Sequence, residues 1–161
     1  MGRDVVILDP TLARARFERD THALVESPDH YARIGIRVIR VEYPVLEAAL
    51  LWTLPGREIT LHVDAEDYDY LPARGWWVDG VGGALQPGSG SVPNEGGFQT
   101  SGHPHELPRT WFCFAGWREY HDHQSHQSPT WASIRQNPQH RIPGVVVQLH
   151  ADLNKAGVKA V

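Results

Sequence analysis

The chain has 161 residues and a mass of 18.1 kDa, which predicts one domain, since typical domains contain about 100–150 residues. A hydrophobic content of 41% with six tryptophans is enough for a packed core. The formal net charge of −4 disfavours a nucleic-acid-binding protein, because such proteins usually present a basic face.

The sequence favours a cytoplasmic protein. The N-terminus MGRDVVILDP lacks the apolar core of a secretory signal. No apolar stretch approaches the roughly 20 residues that span a bilayer. The single cysteine, Cys113, cannot form an internal disulfide, so nothing indicates an oxidising compartment.

The first half of the chain predicts a helix followed by strands. Asp9 and Pro10 suit the start of a helix that ends at Ser27-Pro28, since Asp caps free N–H groups and Pro needs no donor at the first position. Residues 32–43 alternate between apolar and polar side chains, which is typical of a half-buried strand. The segment VLEAALLWTL fits either a helical turn or a second strand. A turn at 54–57 then precedes the alternating segment REITLHV, which predicts an antiparallel meander.

The second half predicts one more strand, a long loop and helices. Trp76-Trp77-Val78 reads as a fourth strand, and residues 80–102 form a loop with eight glycines. Loops of this length are usually functional or mobile. A Cys/His-rich segment occupies residues 103–126, and short apolar periods after residues 128 and 144 predict helices. The fold class is therefore α+β: an N-terminal helix, a four-stranded antiparallel meander, a long loop and C-terminal helices.

The Cys/His-rich segment carries the candidate chemistry, because five of the ten histidines lie between residues 103 and 126. If residues 119–123 are extended, Glu119, His121 and His123 project to one side. Cys113 can fold back towards them. A thiolate, a carboxylate and two imidazoles form a plausible four-ligand zinc shell, with His126 as a spare ligand.

Three other interpretations of Cys113 stay open at this point. A neighbouring imidazole can activate a cysteine as a nucleophile, and His103 and His105 are candidates for that role. The thiol also fits a small buried hydrophobe, because Trp111, Phe112, Phe114 and Trp117 surround it in the sequence. A third possibility is a zinc hydrolase in which three protein ligands and a water share the metal.

The order of elements and one motif resemble the ubiquitin-conjugating enzymes (the UBC-like fold). That family has a His-Pro-Asn motif, seven further residues and then the catalytic cysteine. Here His103-Pro104-His105 and the seven residues ELPRTWF precede Cys113. The passage EDYDYLPARGWWV is similar to the family's segment between its third and fourth strands. The resemblance implies a single UBC-like domain over residues 1–161, with Cys113 as the thioester nucleophile.

One position departs from the family motif. The family's asparagine, which stabilises the oxyanion, is His105 in this chain. An imidazole can also donate a hydrogen bond to an oxyanion. His105 therefore takes that role if the chain is an active carrier enzyme.

The series Cys113, Glu119, His121 and His123 also resembles the predicted metal-binding CEHH domains of bacteria. Those domains are thought to be encoded beside ubiquitin-like proteins, their activating and conjugating enzymes, and JAB-type peptidases. This resemblance implies a zinc-binding adaptor or scaffold in a bacterial ubiquitin-like conjugation pathway. Its partners would be the ubiquitin-like protein and the activating or conjugating enzymes, with no nucleic acid and no membrane. The alternative is an active conjugating-type enzyme that carries the ubiquitin-like protein as a thioester on Cys113.

Overall fold

The structure is a computed structural model that describes residues 8–103, 105, 107–126 and 128–161. It opens with two helices, α1 (Pro10–Glu26) and α2 (Pro28–Arg33). The side chain of Asp9 accepts a hydrogen bond of 2.8 Å from the backbone N–H of Thr11. The predicted cap and first helical proline are therefore confirmed. Phe17 and Leu24 of α1 are fully buried.

Four strands form an antiparallel sheet in chain order: β1 (Ile36–Glu42), β2 (Val45–Trp52), β3 (Arg57–Asp64) and β4 (Arg74–Val78). The predicted meander is thus confirmed. The segment VLEAALLWTL, for which the sequence allowed either a helical turn or a strand, contains strand β2. Along β3 the side chains of Ile59, Leu61 and Val63 are buried and their neighbours less so, as the alternation predicted.

The glycine-rich loop contains two short strands that the sequence did not predict. These are β5 (Pro93–Asn94) and β6 (Phe98–Gln99). β6 pairs with β7 (Trp111–Phe112), and β5 pairs with β8 (Lys159–Ala160) near the C-terminus. Two-residue strands carry too little apolar alternation to be recognised in a sequence. They attach the loop both to the C-terminus and to the strand before Cys113.

The remaining helices follow β7: α3 (Arg118–Asp122), α4 (Trp131–Ile134) and α5 (Gly144–Leu153), with a 3₁₀ turn at Pro138–His140. Val145, Leu149 and Leu153 of α5 are buried, which matches their four-residue spacing in the sequence. The α+β class with an N-terminal helix, a four-stranded meander and C-terminal helices is therefore confirmed. Within the described part of the chain, no helix combines the length and apolar character that a bilayer span requires.

An aromatic cluster connects the main sheet to the cysteine segment. Its members are Trp77, Phe98, Phe112 and Trp117, whose neighbouring ring centroids lie 5.0–6.2 Å apart. Each of these side chains is at most 2% exposed. The residues that flank Cys113 are consequently fixed by burial of large apolar surface.

Candidate functional site

Cys113 directly follows the short strand β7 and continues its pairing with the loop. Its backbone N–H donates a hydrogen bond of 2.7 Å to the carbonyl of Gly97. A Cβ atom on Gly97 would lie 2.6 Å from the ring of Phe114 and 2.8 Å from the carbonyl oxygen of Cys113. Only glycine allows this close approach, so the cysteine backbone is held tightly against the loop.

The thiol of Cys113 lies beside an imidazole. Its Sγ is 3.2 Å from Nε2 of His126, a distance at which a thiol can donate to the ring nitrogen. The thiol is half-buried, and this burial raises the pKa of Cys113. The His126 ring stacks on Tyr120, with centroids 4.1 Å apart and planes inclined by 14°. Stacking holds the imidazole in place beside the sulfur.

The segment after Cys113 is helical, and the extended conformation considered for residues 119–123 is wrong. A turn at 114–117 leads into α3, whose first backbone N–H, that of Arg118, donates to the carbonyl of Ala73. In a helix, residues two positions apart point in different directions. Glu119 and His121 therefore do not share a side. The turn that follows α3 brings His126 back to the thiol.

Glu119 is buried in an ion pair rather than directed at the thiol. Its Oε1 accepts a bond of 2.7 Å from Nη2 of Arg109. Its Oε2 is buried without a hydrogen-bond partner. Burial raises the pKa of Glu119, and the attraction of Arg109 opposes that rise only in part. The guanidinium of Arg109 also lies over the ring of Trp76, 4.3 Å from its centroid.

His121 accepts a backbone hydrogen bond and stays neutral. Its Nε2 accepts from the N–H of Gly116 at 3.0 Å, so the proton of the neutral ring is on Nδ1. That Nδ1 is buried and unpartnered. Burial, with smaller contributions from His140 and His126, lowers the pKa of His121 to about 4.

His123 directly follows α3 as its C-cap residue. Its Nδ1 accepts from both the backbone N–H and the hydroxyl of Ser125, at 3.2 and 2.7 Å, which leaves Nε2 for another contact. The ring lies 5.3 Å from that of His126 and stacks on Trp111 at 6.0 Å. Of the two predicted histidine ligands, His123 is therefore the one that makes a ring contact with His126.

The loop that contains His103 and His105, called the motif loop below, is fixed by His103 and not by His105. His103 is buried, its Nδ1 accepts from the N–H of His105 at 3.1 Å, and its Nε2 lies 2.9 Å from the carbonyl of Glu119. His103 thus donates through Nε2 and links the loop to α3. The His105 ring is exposed, and within the described residues no hydrogen bond or ring contact joins it to Cys113. Pro104, the middle residue of the predicted motif, lies outside the described residues.

Two side chains, Cys113 and His126, lie at a distance that would allow them to share one metal ion. In a tetrahedral zinc shell, sulfur and nitrogen ligands lie about 3.5 Å apart, close to the 3.2 Å between Cys113 and His126. Glu119 is committed to Arg109, and the Nε2 of His121 is committed to Gly116. Within residues 8–103, 105, 107–126 and 128–161, no three His, Cys, Asp or Glu side chains are grouped to hold a metal ion. The predicted four-residue shell is thus not assembled in this conformation.

The sequence interpretation gave too little weight to two residues. His126 was only a spare ligand, yet it contacts the thiol. Arg109 was not considered, yet it fixes Glu119. The turn that follows α3 carries His126 towards Cys113, so knowledge of this helix would have singled out His126. A helix of five residues is too short to be recognised from periodicity.

Comparison of the sequence with known protein families and with curated proteins found no match in either set.

Proposed function

We propose that the chain is a cysteine-dependent acyl carrier of the ubiquitin-conjugating type, which holds a ubiquitin-like protein as a thioester on Cys113. The contact of 3.2 Å between Cys113 Sγ and His126 Nε2 is the observation that carries the proposal. A thiol with an imidazole in hydrogen-bond reach is an arrangement typical of nucleophilic cysteines.

The proposed step is a transthiolation. His126 Nε2 takes the proton of the Cys113 thiol as Sγ attacks the carbonyl carbon of the donor thioester. The new C–S bond forms on Cys113, and the C–S bond to the donor enzyme's cysteine breaks. The departing thiolate takes up a proton, so the step needs no oxidant or reductant. This chain then carries the ubiquitin-like protein as a thioester on Cys113.

The raised pKa of Cys113 suits a carrier better than a hydrolase. Burial raises the pKa of the thiol and keeps it protonated while no donor thioester is bound. This protects it from adventitious oxidation, because the thiolate is the reactive form. A thiolate of high pKa is also a poorer leaving group. The acyl adduct should therefore persist until a specific acceptor removes it.

The architecture supports the same assignment. The confirmed order of N-terminal helix, four-stranded meander, loop and C-terminal helices agrees with the resemblance to the conjugating enzymes. His103 is buried and anchors the motif loop ten residues before the cysteine. In this proposal the partners are a ubiquitin-like protein and its activating enzyme, and the setting is the bacterial cytoplasm.

The test is formation of a reducible adduct. The purified chain is mixed with a bacterial ubiquitin-like protein, the activating enzyme of that protein and ATP. We expect an adduct of one ubiquitin-like protein that dithiothreitol releases, that Cys113→Ala abolishes and that His126→Ala slows at least tenfold. His30→Ala, which changes an exposed histidine of α2, is the matched control. No adduct with an activating enzyme that loads its own cysteine would refute the proposal.

A second candidate is the zinc-binding adaptor, because the same two atoms lie at ligand distance. Cys113 and His126 would hold the ion, and a rotation of His123 would add its Nε2 as a third ligand. When bound, zinc would keep the thiolate ionised and occupied, so it would replace the carrier function. Metal content of the untagged protein distinguishes the two: about one zinc per chain, lost in both Cys113→Ser and His126→Ala, would establish the adaptor.

A further inference from the structure

Tyr120, the third residue of α3, contacts two imidazole rings. It stacks on His126, with centroids 4.1 Å apart and planes inclined by 14°. It meets His121 almost at a right angle, with centroids 5.0 Å apart and planes inclined by 79°. Stacked and edge-to-face arrangements are both favourable for aromatic rings. Tyr120 thus connects the base of the proposed transfer to a second histidine.

Core packing does not account for a tyrosine at this position. Tyr120 is half-buried, and it is not part of the core that the described residues form. The nearby aromatic residues Phe112 and Trp117 belong to that core, where they contribute buried apolar surface. A large ring that lies outside the core and flat against an imidazole points to a role for that imidazole.

The contacts of Tyr120 close a circuit around the thiol. Cys113 Sγ lies 3.2 Å from His126 Nε2, and the ring of His126 stacks on Tyr120. Beyond Tyr120, the Nε2 of His121 accepts a hydrogen bond of 3.0 Å from the backbone N–H of Gly116. Gly116 is the third residue after Cys113. Both ends of the circuit are therefore attached to the segment that carries the thiol.

Gly116 gives this circuit a rigid anchor. Its φ of +100° lies in the region that favours glycine. A Cβ atom at this position would lie 2.7 Å from Cγ1 of Val145 and 3.4 Å from the carbonyl oxygen of His140. Val145 is itself buried in the core. Close packing therefore fixes the N–H of Gly116, and with it the His121 ring that accepts from that group.

The turn that carries His126 does not by itself fix the imidazole. Residues 124 and 125 are exposed, and His126 is half-buried. The N–H of His126 donates a bond of 2.9 Å to the carbonyl of His123, which orders the main chain but leaves the side-chain torsions free. Keeping such a side chain in one rotamer costs conformational entropy. The stack on Tyr120 offsets that cost.

We propose that Tyr120 is the positioning residue of the Cys113–His126 pair: its ring holds the imidazole in the orientation in which Nε2 reaches the thiol. This inference rests on the proposed carrier function, in which that nitrogen takes the thiol proton. Tyr120 acts through His126 and not on the sulfur. The aromatic face carries the role, so phenylalanine can replace tyrosine and an aliphatic residue cannot.

The experiment measures how fast iodoacetamide alkylates Cys113 in the full chain at neutral pH. Tyr120→Leu should slow alkylation about two- to tenfold, because loss of one aromatic contact changes the orientational equilibrium of His126 by about that factor. Tyr120→Phe retains the ring and should restore most of the parent rate. The matched control is Tyr70→Leu, which changes a tyrosine that is 50% exposed and should alkylate like the parent. If Tyr120→Leu does not fold, Tyr120→Met removes the ring in its place.

A double variant distinguishes positioning from a general loosening of the segment. In a His126→Ala chain the base is absent, so Tyr120→Leu should change the alkylation rate no further. A loosened segment would instead change the rate by the same factor with and without His126. Thermal unfolding of each variant records that it is folded.

Two results would overturn the inference: equal alkylation rates for the parent and Tyr120→Leu, or an equal effect of Tyr120→Leu in the presence and absence of His126. Loading with a ubiquitin-like protein is measured beside alkylation, which needs no activating enzyme. A parent chain that forms no reducible adduct but shows the expected alkylation pattern would refute the carrier function alone, and Tyr120 would remain the positioning residue of the pair.

Discussion

The ion pair between Arg109 and Glu119 gives the most quantitative prediction. The two side chains are 12% and 4% exposed, and their closest atoms are 2.7 Å apart. Removing one partner of a buried pair costs about 3–5 kcal/mol, since the other charge stays buried. Loss of the guanidinium from the face of Trp76 adds about 0.5–1 kcal/mol. We therefore expect Arg109→Met to lower the free energy of unfolding by about 4 kcal/mol at neutral pH.

The loss of stability should depend on pH in a defined direction. The pKa of Glu119 is raised in the folded state, so its contribution to stability is fully present below its ordinary pKa of about 4.3 and is lost as pH rises through the folded value. Without Arg109 that folded pKa rises further. The difference between Arg109→Met and the parent protein should therefore shrink below about pH 4 and grow towards neutrality.

Urea unfolding at pH 7.5 and pH 4.0 measures the free energy of unfolding and its dependence on pH. Thermal unfolding at neutral pH is a second measurement, in which the midpoint should fall by roughly 8–16 °C, at about 2–4 °C per kcal/mol for a chain of this size. Adding Glu119→Gln should recover part of the loss, because no buried charge remains. Arg37→Met removes an exposed arginine paired with Glu58 and should change the midpoint far less. A neutral-pH loss below about 1 kcal/mol, a value typical of surface pairs, would refute the reasoning.

Three further predictions concern the surroundings of the site. Tyr68→Phe removes the hydroxyl that donates to Asp20 at 2.7 Å and should lower the free energy of unfolding by about 1–3 kcal/mol; an unchanged urea midpoint would contradict this. The ring of His121, followed by NMR, should stay neutral down to about pH 4. The free energy of unfolding should fall as pH drops from 6.5 towards that value, because only the unfolded chain takes up the proton. An NMR titration midpoint near pH 6.5 would contradict this and show that the ring is solvated. Gly97→Ala should slow acyl loading and destabilise the chain, because the new Cβ meets the ring of Phe114; loading and unfolding curves like those of the parent would contradict the tight contact.

Regular periodicity made the meander and the long helices predictable. The alternation in β3 and the four-residue spacing in α5 are direct consequences of which faces contact the core. Asp9 and Pro10 marked the start of α1 through capping chemistry, which depends on adjacent residues only. In each case a local physical rule was sufficient.

The site itself depends on contacts that local rules do not describe. Helix α3 has five residues, too few for a helical period, and it begins where Arg118 bonds to the distant carbonyl of Ala73. The extended alternative placed Glu119 and His121 on one side, whereas the helix turns Glu119 towards Arg109. His126 reaches the thiol only because of that turn. Cys113 is conspicuous in the sequence as the single cysteine, but tertiary structure decides which side chain lies beside it.

The chemical state of Cys113 in the protein as purified tests the central claim most directly. Intact mass after brief treatment with iodoacetamide, measured beside the zinc content of the same untagged sample, reports whether the thiol is available. The carrier account predicts one added carbamidomethyl group, absent in Cys113→Ala, with slower alkylation in His126→Ala and well below one zinc per chain. An unreactive thiol together with about one zinc per chain, released only by a chelator, would contradict it and establish a metal-bound cysteine.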